Sequence, residues 1–75
     1  MTLEAQMVVR TLNGAVIWGA WEVVDTTEDE LQQGTAMLLR DPNEVIGVVR
    51  DGEGPLFVRV AAIESLEWRT RPVTN

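Results

Sequence analysis

The arrangement of apolar residues in short runs, each closed by a turn signal, constrains the fold more than any other feature. β-Branched and other apolar residues gather in segments of strand length, and no segment sustains the 3.6-residue period of an amphipathic helix. The turn signals are Asn13-Gly14, Asp41-Pro42-Asn43 and Asp51-Gly52-Glu53-Gly54-Pro55. This pattern predicts strands throughout the chain.

We predict an all-β fold, a small and strongly bent barrel of five to six strands, with strands at 6–12, 15–24, 35–40, 44–50, 56–60 and 63–69. Asn13-Gly14 predicts a type I′ hairpin turn, which needs positive φ at both central residues. Gly19 lies at the centre of the long second strand, where a glycine predicts a bulge or bend that lets a sheet curl. Ala61-Ala62 is expected to form a tight corner before the last strand.

Residues 25–34 are polar and acidic, and we expect them to form a loop with at most one helical turn. Thr27 and Glu30 have the spacing of a helix capping box, and Gly34 suits the end of a short helix. Glu28-Asp29-Glu30 cannot direct three consecutive carboxylates at one cation, so we expect a solvated segment and neither a metal site nor a cofactor.

The chain of 75 residues is expected to be a single domain, with a core at about 6–69 and a flexible C-terminal tail at 70–75. A domain of this size buries only about 60% of the surface of its unfolded chain, so it is marginally stable alone. Small chains compensate with disulfides, metals or association. Because the sequence has no cysteine and no histidine, association with further copies is the expected solution.

Alternation along the first two strands predicts which side chains are buried. We expect the barrel interior to contain Met7, Val9, Ile17, Trp21 and Val23. The opposite face carries Val16, Trp18 and Val24, which are therefore candidates for a subunit interface. Trp68 is expected in the core or an interface, whereas Trp18 suits either an interface or a ligand surface.

Composition narrows the possible functions. Six arginines, no lysine and twelve acidic residues give a net charge of −6, the wrong sign for general attachment to phosphate backbones. Without histidine, cysteine, lysine or tyrosine the chain lacks the usual nucleophiles and bases, so we expect no enzyme. No apolar run is long enough to span a bilayer and the N-terminus does not resemble a signal peptide, which predicts a cytoplasmic protein without a membrane partner.

The spacing Gly14-x4-Gly19-x5-Asp25, with Ile17 and Trp21 at apolar positions, resembles the first motif of the Sm-like proteins, which include bacterial Hfq. The segment Arg59-Val60-Ala61-Ala62-Ile63 is similar to the second Sm motif, in which Arg59 and Ile63 match. The fold motif is thus carried by Gly14, Gly19, Asp25 and Ile63, and the resemblance implies an SH3-like barrel of the Sm type.

The resemblance also implies a function. Sm-like domains form rings by pairing the edges of their fourth and fifth strands, so a homo-oligomeric ring of five to seven copies is expected. It implies single-stranded RNA as ligand, bound at the pore or the loop face, for which Asp25 and Arg59 match family positions. Arg69 and Arg71 are further RNA-binding candidates. The alternative is a structural ring that has lost the RNA pocket and binds a basic protein partner through the acidic segment 25–34.

Overall fold

A computed structural model of the chain describes residues 2–73. Within this range lie six strands, one α-helix and one 3-10 turn: β1 Thr2–Thr11, β2 Val16–Trp18, β3 Glu22–Asp25, α1 Glu28–Leu38, β4 Val45–Arg50, β5 Glu53–Arg59, the 3-10 turn Val60–Ala62 and β6 Ile63–Pro72. The fold is mostly β, as predicted, although the strand pairings do not close its two sheets into a barrel.

β1 is the centre of the larger sheet. One edge of β1 pairs with β2 and β3, and the other edge pairs with β6 along almost its whole length. All three pairings are antiparallel. β4 and β5 form a separate antiparallel hairpin, in which Ile46 lies opposite Val58 and Gly47 opposite Phe57. β6 continues to Pro72, so residues 70–72 are strand where a flexible tail was expected, and residues 74–75 lie outside the described part of the chain.

The predicted bend at Gly19 is confirmed as a break between β2 and β3. Residues 19–21 lie opposite only Gln6 and Met7 of β1, so the bent strand carries one extra residue there. The Gly19 amide donates to the Met7 carbonyl at 2.8 Å, whereas the next amide, that of Ala20, donates to the Val49 carbonyl of β4 at 2.7 Å. The bulge therefore connects the two sheets.

The core lies between the inner side of the larger sheet and the β4–β5 hairpin. Its buried cluster consists of Val9, Ile46, Val48, Val60 and Leu66, with Met7, Ile17, Leu39, Ile63 and Trp68 packed around it. The interior positions of Met7, Val9 and Ile17 and the core contact of Trp68 are thus confirmed. The corner predicted at Ala61-Ala62 is the 3-10 turn, in which the Val60 amide donates to the Glu44 carbonyl at 2.9 Å.

α1 corrects two predictions. Thr27 caps it as expected, because its hydroxyl oxygen accepts from the Glu30 amide at 3.2 Å. However, the helix runs through Gly34 to Leu38, so the predicted strand 35–40 and its hairpin with 44–50 are wrong. Thr35 is buried one turn after Leu31, and this helical spacing was obscured by the apolar run that follows Gly34.

The turn at Asn13-Gly14 is also in place but has a different geometry. Gly14 has φ of +91°, whereas no residue other than glycine has positive φ within the described range, so the turn is not type I′. The Thr11 amide donates to the Ala15 carbonyl at 2.9 Å and closes a three-residue loop. Three-residue hairpin loops commonly place glycine at their last, left-handed position.

Among residues 2–73 no helix has the length and apolar character needed to cross a bilayer.

Gly19→Ala is expected to lower the free energy of unfolding by about 1–3 kcal/mol, because the new methyl group would lie 2.9 Å from the Met7 carbonyl oxygen and 3.3 Å from Val48 Cγ1. Urea denaturation at one fixed protein concentration measures the change. Gly34→Ala is the matched control: its methyl group meets nothing within 4 Å and lies inside α1, so stability should rise by about 0.5–1 kcal/mol. Equal effects of the two substitutions would contradict the bulge geometry.

Thr35→Val is expected to destabilise the fold by about 1–2 kcal/mol although it preserves the shape of the side chain. The Thr35 hydroxyl accepts a 2.6 Å hydrogen bond from Trp68 Nε1 and donates to the Leu31 carbonyl at 2.9 Å, joining α1 to β6. Thr35→Ser keeps the hydroxyl and should cost clearly less. Thermal unfolding of both variants tests the difference, and a Val variant as stable as the Ser variant would refute it.

Candidate functional site

The most distinctive surface is the side of the larger sheet that faces away from the core, which we call the outer face. Cross-strand partners share a face, so the even-numbered residues of β1 and their partners on the other strands lie on this side. Its aromatic, amide and charged residues are Glu4, Gln6, Arg10, Trp18, Trp21, Asp25, Glu67, Arg69 and Arg71. Half of the six arginines and two of the three tryptophans are therefore on one face.

Trp21 reaches the outer face because of the bulge at Gly19. One inserted residue reverses the alternation of side chains beyond it. Trp21 and Val23, predicted to line the interior, consequently lie outside, and Val23 is 61% exposed. Val24, predicted on the outside, pairs with Leu3 on the inner side instead. Gly19 predicts the bend, but it does not reveal that the side chains beyond it change faces.

The two tryptophans and two arginines are in direct contact. The Arg71 guanidinium carbon lies 3.9 Å from the centroid of the Trp21 ring. The Arg69 guanidinium carbon lies 5.6 Å from the Trp18 centroid and 5.8 Å from the Trp21 centroid, so Arg69 is shared between both rings. Cation–π contacts extend to about 6 Å, so that of Arg71 is close whereas those of Arg69 are near the limit.

Carboxylates offset the positive charge of the arginines on the outer face, and the resulting ion pairs stay partly exposed. Arg71 Nε donates to Glu4 Oε2, and Arg10 lies 3.6 Å from a carboxylate oxygen of Glu67. Both pairs are partly or largely exposed, where ion pairs contribute at most about 1 kcal/mol. Within residues 2–73, Arg69 has no ion-pair partner. The outer face is therefore locally close to neutral in a chain of net charge −6.

The predicted RNA-binding residues separate into two groups. Arg69 and Arg71 lie together on the outer face, and Asp25 is at its far end, opposite Thr2. Arg59 lies on β5 opposite Val45, in the other sheet. The structure thus does not bring Arg59 together with the C-terminal arginines.

Two of the three predicted interface residues are also on the outer face. Val16 and Trp18 lie side by side with β1 residues Arg10 and Val8, and Trp18 is 50% exposed. Val24 is half-buried on the inner side. The exposed apolar surface available to a partner on this side consists of Val16, Trp18 and Val23.

Gln6 is a residue of this face that the sequence analysis did not single out. Its side chain is buried, and Nε2 donates to the Gly19 carbonyl oxygen at 2.9 Å. Its type did not distinguish it, because Glu4 and Arg10 are polar residues at equivalent positions of β1, and only its place opposite the bulge does so. The amide satisfies a backbone carbonyl that the bulge removes from the strand ladder.

The acidic residues 28–30 have structural partners. They form the first turn of α1, where carboxylates offset the positive end of the helix dipole. Glu30 accepts a 2.6 Å hydrogen bond from the Thr26 hydroxyl, and Glu28 accepts one from Thr70 on β6. Within residues 2–73 no group of three or more carboxylates could hold a metal ion.

The β4–β5 hairpin offers a second exposed surface, on its side away from the core. Val45, Val49 and Phe57 are exposed there, and the Phe57 ring approaches Gly47 so closely that a Cβ on Gly47 would lie 3.1 Å from it. Arg59 borders this surface. It is apolar and lacks the paired aromatic and cationic groups of the outer face.

No family model, no curated protein and no solved structure matches this chain.

Proposed function

We propose that this chain is a non-enzymatic protein that binds single-stranded RNA on its outer face and assembles into a homo-oligomeric ring of the Sm-like type. The observation that carries the proposal is the contact of Trp18 and Trp21 with Arg69 and Arg71. Proteins that hold single strands combine aromatic rings, on which bases stack, with cations that follow the phosphates. Stacking contributes about 1–3 kcal/mol per base.

The position of the two rings supports this reading. Trp18 ends β2 and Trp21 directly precedes β3, so both are attached to a sheet rather than to a mobile loop. Trp18 is half exposed, which leaves ring surface for a ligand. A rigid aromatic pair binds a base with little loss of side-chain freedom.

The outer face is close to neutral, so it repels phosphates less than the net charge of the chain suggests. On the outer face three arginines stand among three carboxylates, Glu4, Asp25 and Glu67. Most of the other acidic residues belong to the start of α1 and to the turns before β4 and β5. Repulsion falls off over about 10 Å at 0.1 M salt, so a single strand on this face is partly screened from them.

Two unpaired strand edges support the ring. Within residues 2–73, β5 pairs only with β4 and β6 pairs only with β1, so each has one edge available. If β2 and β3 are counted as halves of one bent strand, β5 and β6 are the fourth and fifth strands. These are the strands through which the resemblance implies assembly, and pairing them between copies would remove both edges.

An Sm-like barrel is part of the same proposal. The bent second strand, the hydrogen bond from Ala20 to Val49 and the 3-10 corner between β5 and β6 support a partly open form of that architecture. A single domain over residues 1–75 and a cytoplasmic location belong with it.

Binding of a basic protein partner through the acidic segment is the alternative function. It has less support, because Glu28 and Glu30 already accept hydrogen bonds from Thr70 and Thr26. Neutralising Glu28, Asp29 and Glu30 should then affect helix stability more than partner binding.

The double substitution Arg69→Ala and Arg71→Ala is expected to weaken binding of a fluorescently labelled single-stranded RNA heptamer by about tenfold or more at 0.1 M salt. Anisotropy titrations over a range of salt concentrations should also show the log–log salt slope reduced by about 0.7 for each phosphate contact that is lost. The matched control is Arg40→Ala with Arg59→Ala, which removes the same charge from exposed positions outside this face. Equal losses in both double variants would refute an RNA site on the outer face.

Light scattering after size exclusion is expected to give a mass of five to seven copies. Absorbance at 260 and 280 nm across the same peak, before and after nuclease treatment, then reports whether the ring carries RNA. A mass that stays constant on dilution supports pairing of the strand edges. A stable monomer would contradict the ring, because both edges would then remain unpaired.

A further inference from the structure

The Gln6 amide contains a buried acceptor that the fold does not use. The residue is only 8% exposed, and Oε1 has no hydrogen-bond partner within residues 2–73. The bond from Nε2 to the Gly19 carbonyl fixes which end of the amide is the donor, so Oε1 is the end that is left over. Buried polar atoms are usually paired, and one that is not calls for a reason.

Gln6 lies opposite the same break in the bent strand that Trp18 and Trp21 border. Gly19, to which Gln6 is bonded, follows Trp18 directly and precedes Trp21 by two residues. Arg69 is the cross-strand partner of Gln6 on β6, and its guanidinium is shared between both rings. Gln6 and Arg69 are thus neighbours on the outer face, and Arg69 in turn contacts both rings.

Arg69 is held much less firmly than Arg71. Arg71 combines a 3.9 Å contact to Trp21 with a hydrogen bond to Glu4. Arg69 has only two contacts of 5.6 and 5.8 Å, and no carboxylate partner within the described residues. A flat group that stacks better could thus take its place between the rings.

We propose that Trp18 and Trp21 hold one nucleobase where the Arg69 guanidinium now lies, and that Gln6 Oε1 accepts a hydrogen bond from the exocyclic amino group of that base. The inference rests on the proposed RNA binding and adds a base preference to it. Adenine and cytosine carry an amino group at the position where guanine and uracil carry a carbonyl oxygen. A carbonyl there would face Gln6 Oε1 as a second acceptor, so the site selects adenine or cytosine.

Displaced Arg69 gains a role in the same step. Its stem stays on β6 beside the base, and the guanidinium turns toward the flanking phosphate, where arginine forms strong charge-assisted hydrogen bonds. Arg71 remains stacked on Trp21 and keeps that ring in position. One arginine thus moves on binding and the other does not.

The test is a set of uridine heptamers in which only the central base varies, titrated against the native protein. Adenine should bind about three- to tenfold more tightly than purine, which stacks similarly but lacks the amino group, and cytosine should exceed uracil by a similar factor. Equal affinity for all central bases would refute the base preference and leave RNA binding intact. Absence of binding to every heptamer would refute the proposed function together with the inference.

Gln6→Leu provides the second readout: with little change in volume it removes the acceptor, and with it the Nε2 donor to the Gly19 carbonyl. It should lose the preference of adenine over purine, which is a ratio of two affinities of the same variant and therefore does not depend on how tightly that variant binds RNA overall. Circular dichroism establishes that the variant is folded. If it does not fold, the adenine and purine comparison on the native protein still decides the question. A folded variant that keeps the full preference would show that another group reads the base.

Discussion

The close approach of Gly19 to β1 is the constraint on which the rest of the structure depends. A side chain there would bring a carbon within 2.9 Å of the Met7 carbonyl oxygen, so the position admits only glycine without a shift of the backbone. This approach allows one amide to stay with β1 and the next to bond β4. A single extra residue therefore curls the strand, joins the two sheets and leaves one carbonyl, that of Gly19, for the Gln6 side chain.

The same residue creates the candidate site. Without the insertion Trp21 would alternate into the core with Ile17; with it, Trp21 lies outside near Trp18 and contacts Arg69 and Arg71. The fold and the outer face are consequences of one local event, so the two rings are positioned by the hydrogen bonds of the sheet. A surface fixed in this way suits recognition better than one built on loops.

Turns, bends and helix caps, which depend on a few neighbouring residues, could be predicted from the sequence. The face on which a side chain lies beyond the bulge depends on strand register and could not. The bend at Gly19, the turn at Gly14 and the cap at Thr27 each follow from local backbone chemistry. The helix beyond Gly34 was missed because its apolar run has no clear period, and Thr35, a strand-like residue, is held by a hydrogen bond with distant Trp68. The pairing of the arginines with the tryptophans was hidden for a similar reason, since parity beyond a bulge depends on how many residues it inserts.

The net charge of −6 is less informative about the ligand than it first suggests, because local structure accounts for many of the acidic residues. The carboxylates of residues 28–30 lie in the first turn of α1, Asp41 accepts from the Asn43 amide at 2.9 Å, and Glu53 pairs with Arg50 at 2.7 Å. Acidic residues at helix starts and turns stabilise those elements wherever a protein functions. What a ligand meets on the outer face is a locally balanced surface, on which Arg69 is the cation without a carboxylate partner among residues 2–73. Under the RNA-binding proposal, a single strand is therefore attracted there by stacking on the tryptophans first and by charge second.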